Sequence, residues 1–281
     1  MISRKLAVVV PVLTTLVFGS WGGVLGPLLP QIARTFHLRV EIAGVLLMVN
    51  FAGALVSVLL GGILADRFGK KRVFLVVLGG FTVAVVAFAG AQSFAIIAAA
   101  CLLGGALGVC LEGLCGAIIA DCNPDGSHRN MNMLQIAFSA GAVAALVVTS
   151  RLDAADGAWR TVYQVLAVAT SSVFLLALFM RVPPAPPAEP ISLPIVRRVM
   201  ADPLILLLAI AIACYVGSEM SLADWISWIL EKTGSRADYA KLAPGLFWLG
   251  TGVGRFVSGQ YCRRYSGLRV LWWLVVGGIL S

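Results

Sequence analysis

Four ionisable residues, Glu112, Glu219, Asp224 and Arg255, lie inside long apolar runs. A charge in an apolar medium is costly unless it is paired or hydrated, so such residues are first candidates for carrying a proton or holding a polar solute. Glu112 continues a stripe with Gly104, Gly108 and Gly116 at four-residue spacing. Residues so spaced share one helix face, where a neighbouring backbone can approach closely while the carboxylate faces a bundle interior. The competing role is a hydrogen-bonded structural glutamate. Glu219 follows Gly217 and Ser218, a pair that can loosen a helix locally, as at solute sites. Asp224 is nearer the end of its run and can be hydrated there. Arg255 matches Glu112 in depth, which allows a pair across a cavity; the alternative is a structural pair holding two parts of the chain closed.

Polar and aromatic groups in the same runs extend this set. Asn50 and Gln135 can bind solute hydroxyls or merely bridge helices. Trp21, Trp225, Trp228 and Trp248 can stack on the apolar face of a sugar ring. Trp225 and Trp228 sit near the end of a run, where interfacial aromatic residues belong. Trp21, among glycines, is the better stacking candidate.

A second constellation is the stretch "GGILADRFGKKR" at 61–72, one acid and four bases behind glycine-spaced apolar sequence. A phosphate loop requires G-x-x-x-x-G-K-[ST] between a strand and a helix. Here Gly69-Lys70 is followed by Lys71, and apolar helical sequence flanks it on both sides. The stretch reads instead as an elbow between two helices. Gly62 is expected to permit close packing and Gly69 a tight turn. Asp66, Arg67 and Lys70 are expected to act as a gate, with Asp66 pairing to basic groups in one conformation only. The bases would also fix topology.

The elements that must position these residues are set by composition. The chain is 60% hydrophobic and 12% charged, with a net charge of +8, whereas a soluble domain is nearer a quarter charged. The bases form short clusters between apolar runs, which argues for membrane topology rather than nucleic acid. The first run is too long for the ~7–15 residue core of a secretory signal, so it reads as a retained helix. The six cysteines lack metal-ligand spacing with His37 or His128. Free thiols, no metal and no cofactor are expected. No nucleophile–base set suggests an enzyme.

A spanning helix needs about 20 mostly apolar residues. Such spans occur near 6–29, 42–65, 73–91, 94–120, 131–150, 160–180, 203–230 and 242–262, with a ninth from Leu268. That ninth span would reach only ~21 Å before the sequence ends, as in a fragment or shortened reading frame. Lysines and arginines divide unequally between alternate loops. One side holds Arg4, Lys5, Arg67, Lys70, Lys71, Arg72, Arg129, Arg181, Arg197, Arg198, Arg263, Arg264 and Arg269; the other holds Arg34, Arg39, Arg151, Arg160, Lys232, Arg236 and Lys241. The richer side, with the N-terminus, is expected to be cytoplasmic.

Six prolines between Pro183 and Pro194 exclude regular helix and indicate a stiff linker. The expected organisation is a six-helix half at 1–181, a linker at 182–202 and an incomplete second half at 203–281. Weak self-similarity crosses the linker: Gly19 and Ser20 match Gly217 and Ser218, while Phe51, Gly53 and Gly62 match Trp248, Gly250 and Gly259. Near-constant offsets point to parallel halves of six helices.

With its glycines, Asp66-Arg67 and Gly69-Lys70 between the second and third helices, "GGILADRFGKKR" resembles the signature of the major facilitator superfamily. The resemblance implies an all-α integral membrane bundle, with about nine of twelve helices present, that transports by alternating access. "SWGGVLGPLLPQIARTF", "CLEGLCGAIIAD", "YVGSEMSLADWISWILEK" and "FWLGTGVGRFVSG" resemble the fucose-permease-like branch of sugar:proton symporters. That branch implies an acid in the fourth helix, which Glu112 matches. The first helix has no acid, a departure from fucose permease, and the fifth lacks the Gly-Pro pair common in antiporters. The expected function is proton-coupled movement of a sugar-like solute by a monomer in the cytoplasmic (inner) membrane. An efflux antiporter for hydrophobic compounds and a transport-dead fragment serving as a sensor or assembly partner are the alternatives.

Overall fold

The computed structural model describes residues 2–122, 127–152, 158–182, 201–262 and 265–280. The proline-rich segment 183–200 lies outside them, as do Arg263 and Arg264. Every described element is a helix or a short turn between helices: α1 (Ile2–Thr35), α2 (Val40–Ala43), α3 (Val45–Phe68), α4 (Lys70–Ala89), α5 (Phe94–Cys122), α6 (Ser127–Arg151), α7 (Ala158–Leu178), α8 (Pro203–Lys232), α9 (Ala237–Tyr261) and α10 (Gly267–Leu280). Six of them are long and apolar enough to cross a membrane by length and composition alone.

Each expected span but one falls on a single helix, with shifted bounds; the span at 42–65 is divided at Gly44 between the short α2 and α3. α1 runs beyond the expected end at 29, through Pro27 and Pro30. Proline removes the amide that would bond the carbonyl four residues earlier; here packing against α5, α6 and α7 keeps the helix continuous. α8 starts where its sequence announces it. Asp202 accepts a hydrogen bond from the Leu204 amide at 2.9 Å, and Pro203 takes the first helical position, where a missing N–H costs nothing. Gly69 joins α3 to α4 directly with φ +87° and ψ 133°, a conformation open essentially to glycine alone. The tight turn expected there is present.

α1 lies at the centre. It packs along α6 and also against α5, α7 and α8, while α3 packs along α5 and α4 on both α5 and α7. Small residues set these separations. Gly105 meets the Asn50 backbone, Gly53 the Leu102 carbonyl, and Gly19 the Phe138 backbone. The close packing expected at Gly62 is displaced by one residue: Gly61 lies against the Cys110 thiol, whereas Gly62 has nothing near it. One residue is 100° of helix rotation, so only one of the adjacent glycines can face α5.

Aromatic rings fill the centre of this first group of helices. Trp21 makes edge-to-face contacts with Phe81, Phe88 and Tyr163, and Phe18 with Phe81 and Phe138. α8 and α9 join the group along two seams, α1 with α8 and α6 with α9. The first half of α8 and most of α10 present exposed apolar side chains, the composition expected of lipid-facing surface.

Candidate functional site

The α6–α9 seam gathers three of the four ionisable candidates. On α9, Arg255 lies between Gly252 and Gly259, which face Ser139 and Asn132 of α6. The missing side chains bring the two backbones together, so Arg255 can reach α6 without stretching. Its Nη1 donates to Ser139 Oγ at 3.1 Å and to the Gln135 carbonyl at 3.3 Å, while Nη2 donates to Glu219 Oε1 on α8 at 3.0 Å. The Glu219 side chain is only 7% exposed. Tyr215, one turn earlier, lies beside both charges. Gln135 turns its side chain the other way, and its Nε2 donates to Glu112 Oε1 of α5 at 2.8 Å.

The direct Arg255–Glu112 pair considered from the sequence does not form. Arg255 takes Glu219 instead, and Gln135 stands between the two acids. One polar chain, Glu112–Gln135–Arg255–Glu219, therefore crosses four helices. It contains two carboxylates and one guanidinium. Among the described residues the hydrogen-bond partner of Glu112 is the neutral Gln135 amide.

Glu112 and Gln135 also line a cavity of about 520 Å³, together with Gly61, Gly62 and Asp66 of α3, Lys70 of α4 and Gly113 of α5. It lies toward the end of the bundle where α3 and α5 finish and α4 and α6 begin. Lys70 Nζ bonds Asp121 Oδ2 at 2.6 Å, tying the start of α4 to the end of α5. In this conformation the ion pair at the elbow is Lys70–Asp121. Asp66 is exposed and has no ion pair among the described residues, and the exposed Arg67 stacks on the Phe68 ring at 5.3 Å.

Three further candidates have other company. Trp21 is fully buried, and its indole N–H donates to Asn50 Oδ1 at 3.2 Å. Its ring faces are taken by the aromatic cluster and by Gly104, so in this conformation it presents no face for a sugar to stack on. Asn50 correspondingly bridges α1 and α3. Asp224 is buried rather than open to solvent: it is 8% exposed and its backbone sits on Gly26 of α1. Together with Trp225 over Gly44, it closes the α1–α8 seam at the opposite end of α8 from its capped start.

Sequence reasoning missed Asp121, Ser139 and Tyr215. Asp121 carried a legible signal, an acid ending an apolar run level with the elbow. Ser139 carried none, because serine inside a helix is common and its role depends on which residue faces it. Trp248, at 1% exposure, packs on Phe138, and its indole N–H has no partner among the described residues.

Comparison with known proteins follows from this geometry. The sequence profile of the Major Facilitator Superfamily matches residues 12–281. An uncharacterised MFS-type transporter of Bacillus subtilis strain 168, YceJ, is 27% identical over 271 residues, covering 91% of this chain and 68% of the relative. Among solved structures, a D-xylose-proton symporter superposes with a TM-score of 0.69 at 16% identity, over 94% of this chain and 70% of the other. The inward-open xylose transporter XylE of E. coli gives a TM-score of 0.58 at 17% identity, over 90% and 66%.

Proposed function

From the premise that the chain belongs to the major facilitator superfamily, and is a multi-pass membrane transporter rather than an enzyme, we propose that it moves a small polar, sugar-like solute together with protons by alternating access. The observation that carries this reading is the polar chain Glu112–Gln135–Arg255–Glu219, which joins acids on either side of the α6–α9 seam. Arg255 compensates Glu219. Glu112 is the carboxylate left to a neutral amide, so it is the group assigned to take a proton. A carboxylate inside the bundle with a neutral amide as its partner is a proton acceptor, and the cavity it lines gives a proton a route to it.

The cavity of about 520 Å³ falls within the range of small-molecule sites, roughly 300–1,000 Å³. Its mixture of apolar wall with Glu112 and Gln135 suits a solute bearing hydroxyl groups. Asn50, held by Trp21, is assigned a supporting role, and Trp248 offers a donor with no partner among the described residues. That solved structures of like fold include xylose transporters supports a sugar over a hydrophobic drug.

Alternating access needs two gates. Asp66, Arg67 and Lys70, with Gly62 and the turn at Gly69, are assigned to the inner one, because Asp66, Gly62 and Lys70 ring the cavity. Asp224 on Gly26 and Trp225 on Gly44 are assigned to the outer one. In this reading helices α1–α7 (1–181) and the part from 203 onward are the two rocking units, linked by 182–202. The chain works as a monomer in the cytoplasmic membrane with its N-terminus inside.

Uptake into proteoliposomes, with a panel of radiolabelled sugars and an imposed pH gradient, tests the proposal. Gradient-driven accumulation of one sugar is expected, with its loss in Glu112→Gln and retention of exchange at equal pH. Full coupling in both Glu112→Gln and Glu219→Gln would sink it. Proton-dependent extrusion of hydrophobic dyes with no sugar uptake would move the assignment to an efflux antiporter.

A further inference from the structure

We infer that Gln135 is a positioning residue that passes the protonation state of Glu112 to the Arg255–Glu219 pair and so to the seam between α6 and α9. The inference rests on the reading of Glu112 as the proton-carrying group. Gln135 is gripped from two sides. Its side-chain amide holds Glu112 of α5, and its main-chain carbonyl accepts from Arg255 of α9. Ser139, one turn along α6, gives Arg255 its second foothold.

A glutamine is chemically suited to this place. Its amide carries two N–H donors and a carbonyl acceptor. An ionised Glu112 is acceptor-only and takes the Nε2 donor, as observed. A neutral Glu112 keeps a carbonyl acceptor and adds an O–H donor, for which the amide oxygen of Gln135 is the matching acceptor. The same side chain satisfies both states by turning over or by shifting with α6. Leucine or methionine could do neither, and a lysine would hold one state only.

The seam then converts a small shift into a broken contact. Gly252 and Gly259 hold α9 tightly on α6, and hydrogen bonds are lost beyond ~3.5 Å. At 3.3 Å, the Arg255 contact to the Gln135 carbonyl is the weakest of the three that Arg255 makes. Movement of α6 that carries both Gln135 and Ser139 away from α9 leaves Arg255 to Glu219 alone and releases α6 from α9. The charged groups around Glu112 are few. Among the described residues, α3 contributes Asp66, α4 contributes Lys70 already paired with Asp121, and α9 contributes Arg255 through Gln135.

The test needs no solute. Spin labels are placed at Ser150→Cys, at the end of α6, and Ser235→Cys, in the turn before α9, with the exposed Cys214 and Cys262 changed to serine. The inter-label distance distribution is measured in nanodiscs from pH 5 to pH 8. The parent chain is expected to shift between two populations. Glu112→Gln and Gln135→Met are each expected to lose that shift, and Ser139→Ala to reduce it. A Gln135→Met variant that shifts like the parent overturns the inference; a purely structural Gln135 would lower thermal stability and leave the pH response intact. If Gln135→Met fails to fold by size-exclusion chromatography, an undiminished shift in Ser139→Ala overturns it instead. A full shift in Glu112→Gln, or none in the parent, overturns the underlying proton reading.

Discussion

Arg255 divides one guanidinium among three acceptors on two helices, and that division depends on its planar, forked geometry. Lysine has a single nitrogen and cannot reproduce it. Arg255→Lys is therefore expected to keep the Glu219 pair and lose the hold on α6, seen as unchanged thermal stability with impaired transport. Arg255→Met is a harsher change because it leaves Glu219 buried and unpaired. Removing one partner of a buried ion pair costs about 3–5 kcal/mol, so a marked fall in the unfolding midpoint is expected in detergent. Adding Glu219→Gln to Arg255→Met should recover much of that fall. If the double variant is no more stable than the single one, the pair is not what burial demands there.

At the scale of helices, glycine positions are unequal, and the inequality can be measured. A Cβ at Gly105 would overlap the Asn50 backbone, so Gly105→Val is expected to push α5 off α3 at a cost of about 1–3 kcal/mol, the usual range for overpacking. Gly69→Ala strains a backbone at φ +87° by about 1–3 kcal/mol. Gly62→Ala meets nothing and is expected to stay within about 0.5 kcal/mol of the parent. Fluorescence-detected size exclusion after a temperature series ranks the three. A Gly62→Ala variant as damaged as Gly105→Val would restore the sequence expectation of close packing at Gly62.

For the whole molecule, the distribution of arginine and lysine predicts an orientation, from which the helix order assigns a side to each turn. Cys262 follows α9, and Gly234 lies in the turn between α8 and α9. With the N-terminus inside, a membrane-impermeant maleimide is expected to spare Cys262 in intact cells and to label it after permeabilisation. A cysteine at Gly234→Cys, in a chain with the exposed native cysteines removed, should label from outside without permeabilisation. The reverse pattern would invert the topology and with it the assignment of inner and outer gates.

By itself the sequence determined the helical membrane bundle, eight long helical segments and a shorter ninth, the turn at Gly69 and the family, because each rests on local composition or on short fixed spacing. Run length and hydropathy mark a helix wherever it packs, and a glycine forced to positive φ announces itself beside a charged elbow. Partners were another matter. Glu112, Gln135, Glu219 and Arg255 were all visible as polar residues in apolar runs, yet their order in one chain was not. A side chain's partner depends on which helix faces it, at what rotation and how closely. Tertiary structure alone gave Arg255 to Glu219, turned Lys70 to Asp121, enclosed Trp21 among aromatic rings and seated Asp224 on Gly26. The physical reason is that a helix fixes only the face on which a residue lies. What lies opposite is decided by the packing of small residues, here Gly252 and Gly259 against α6 and Gly26 against α8, and by the requirement that every buried charge find a counterpart within reach.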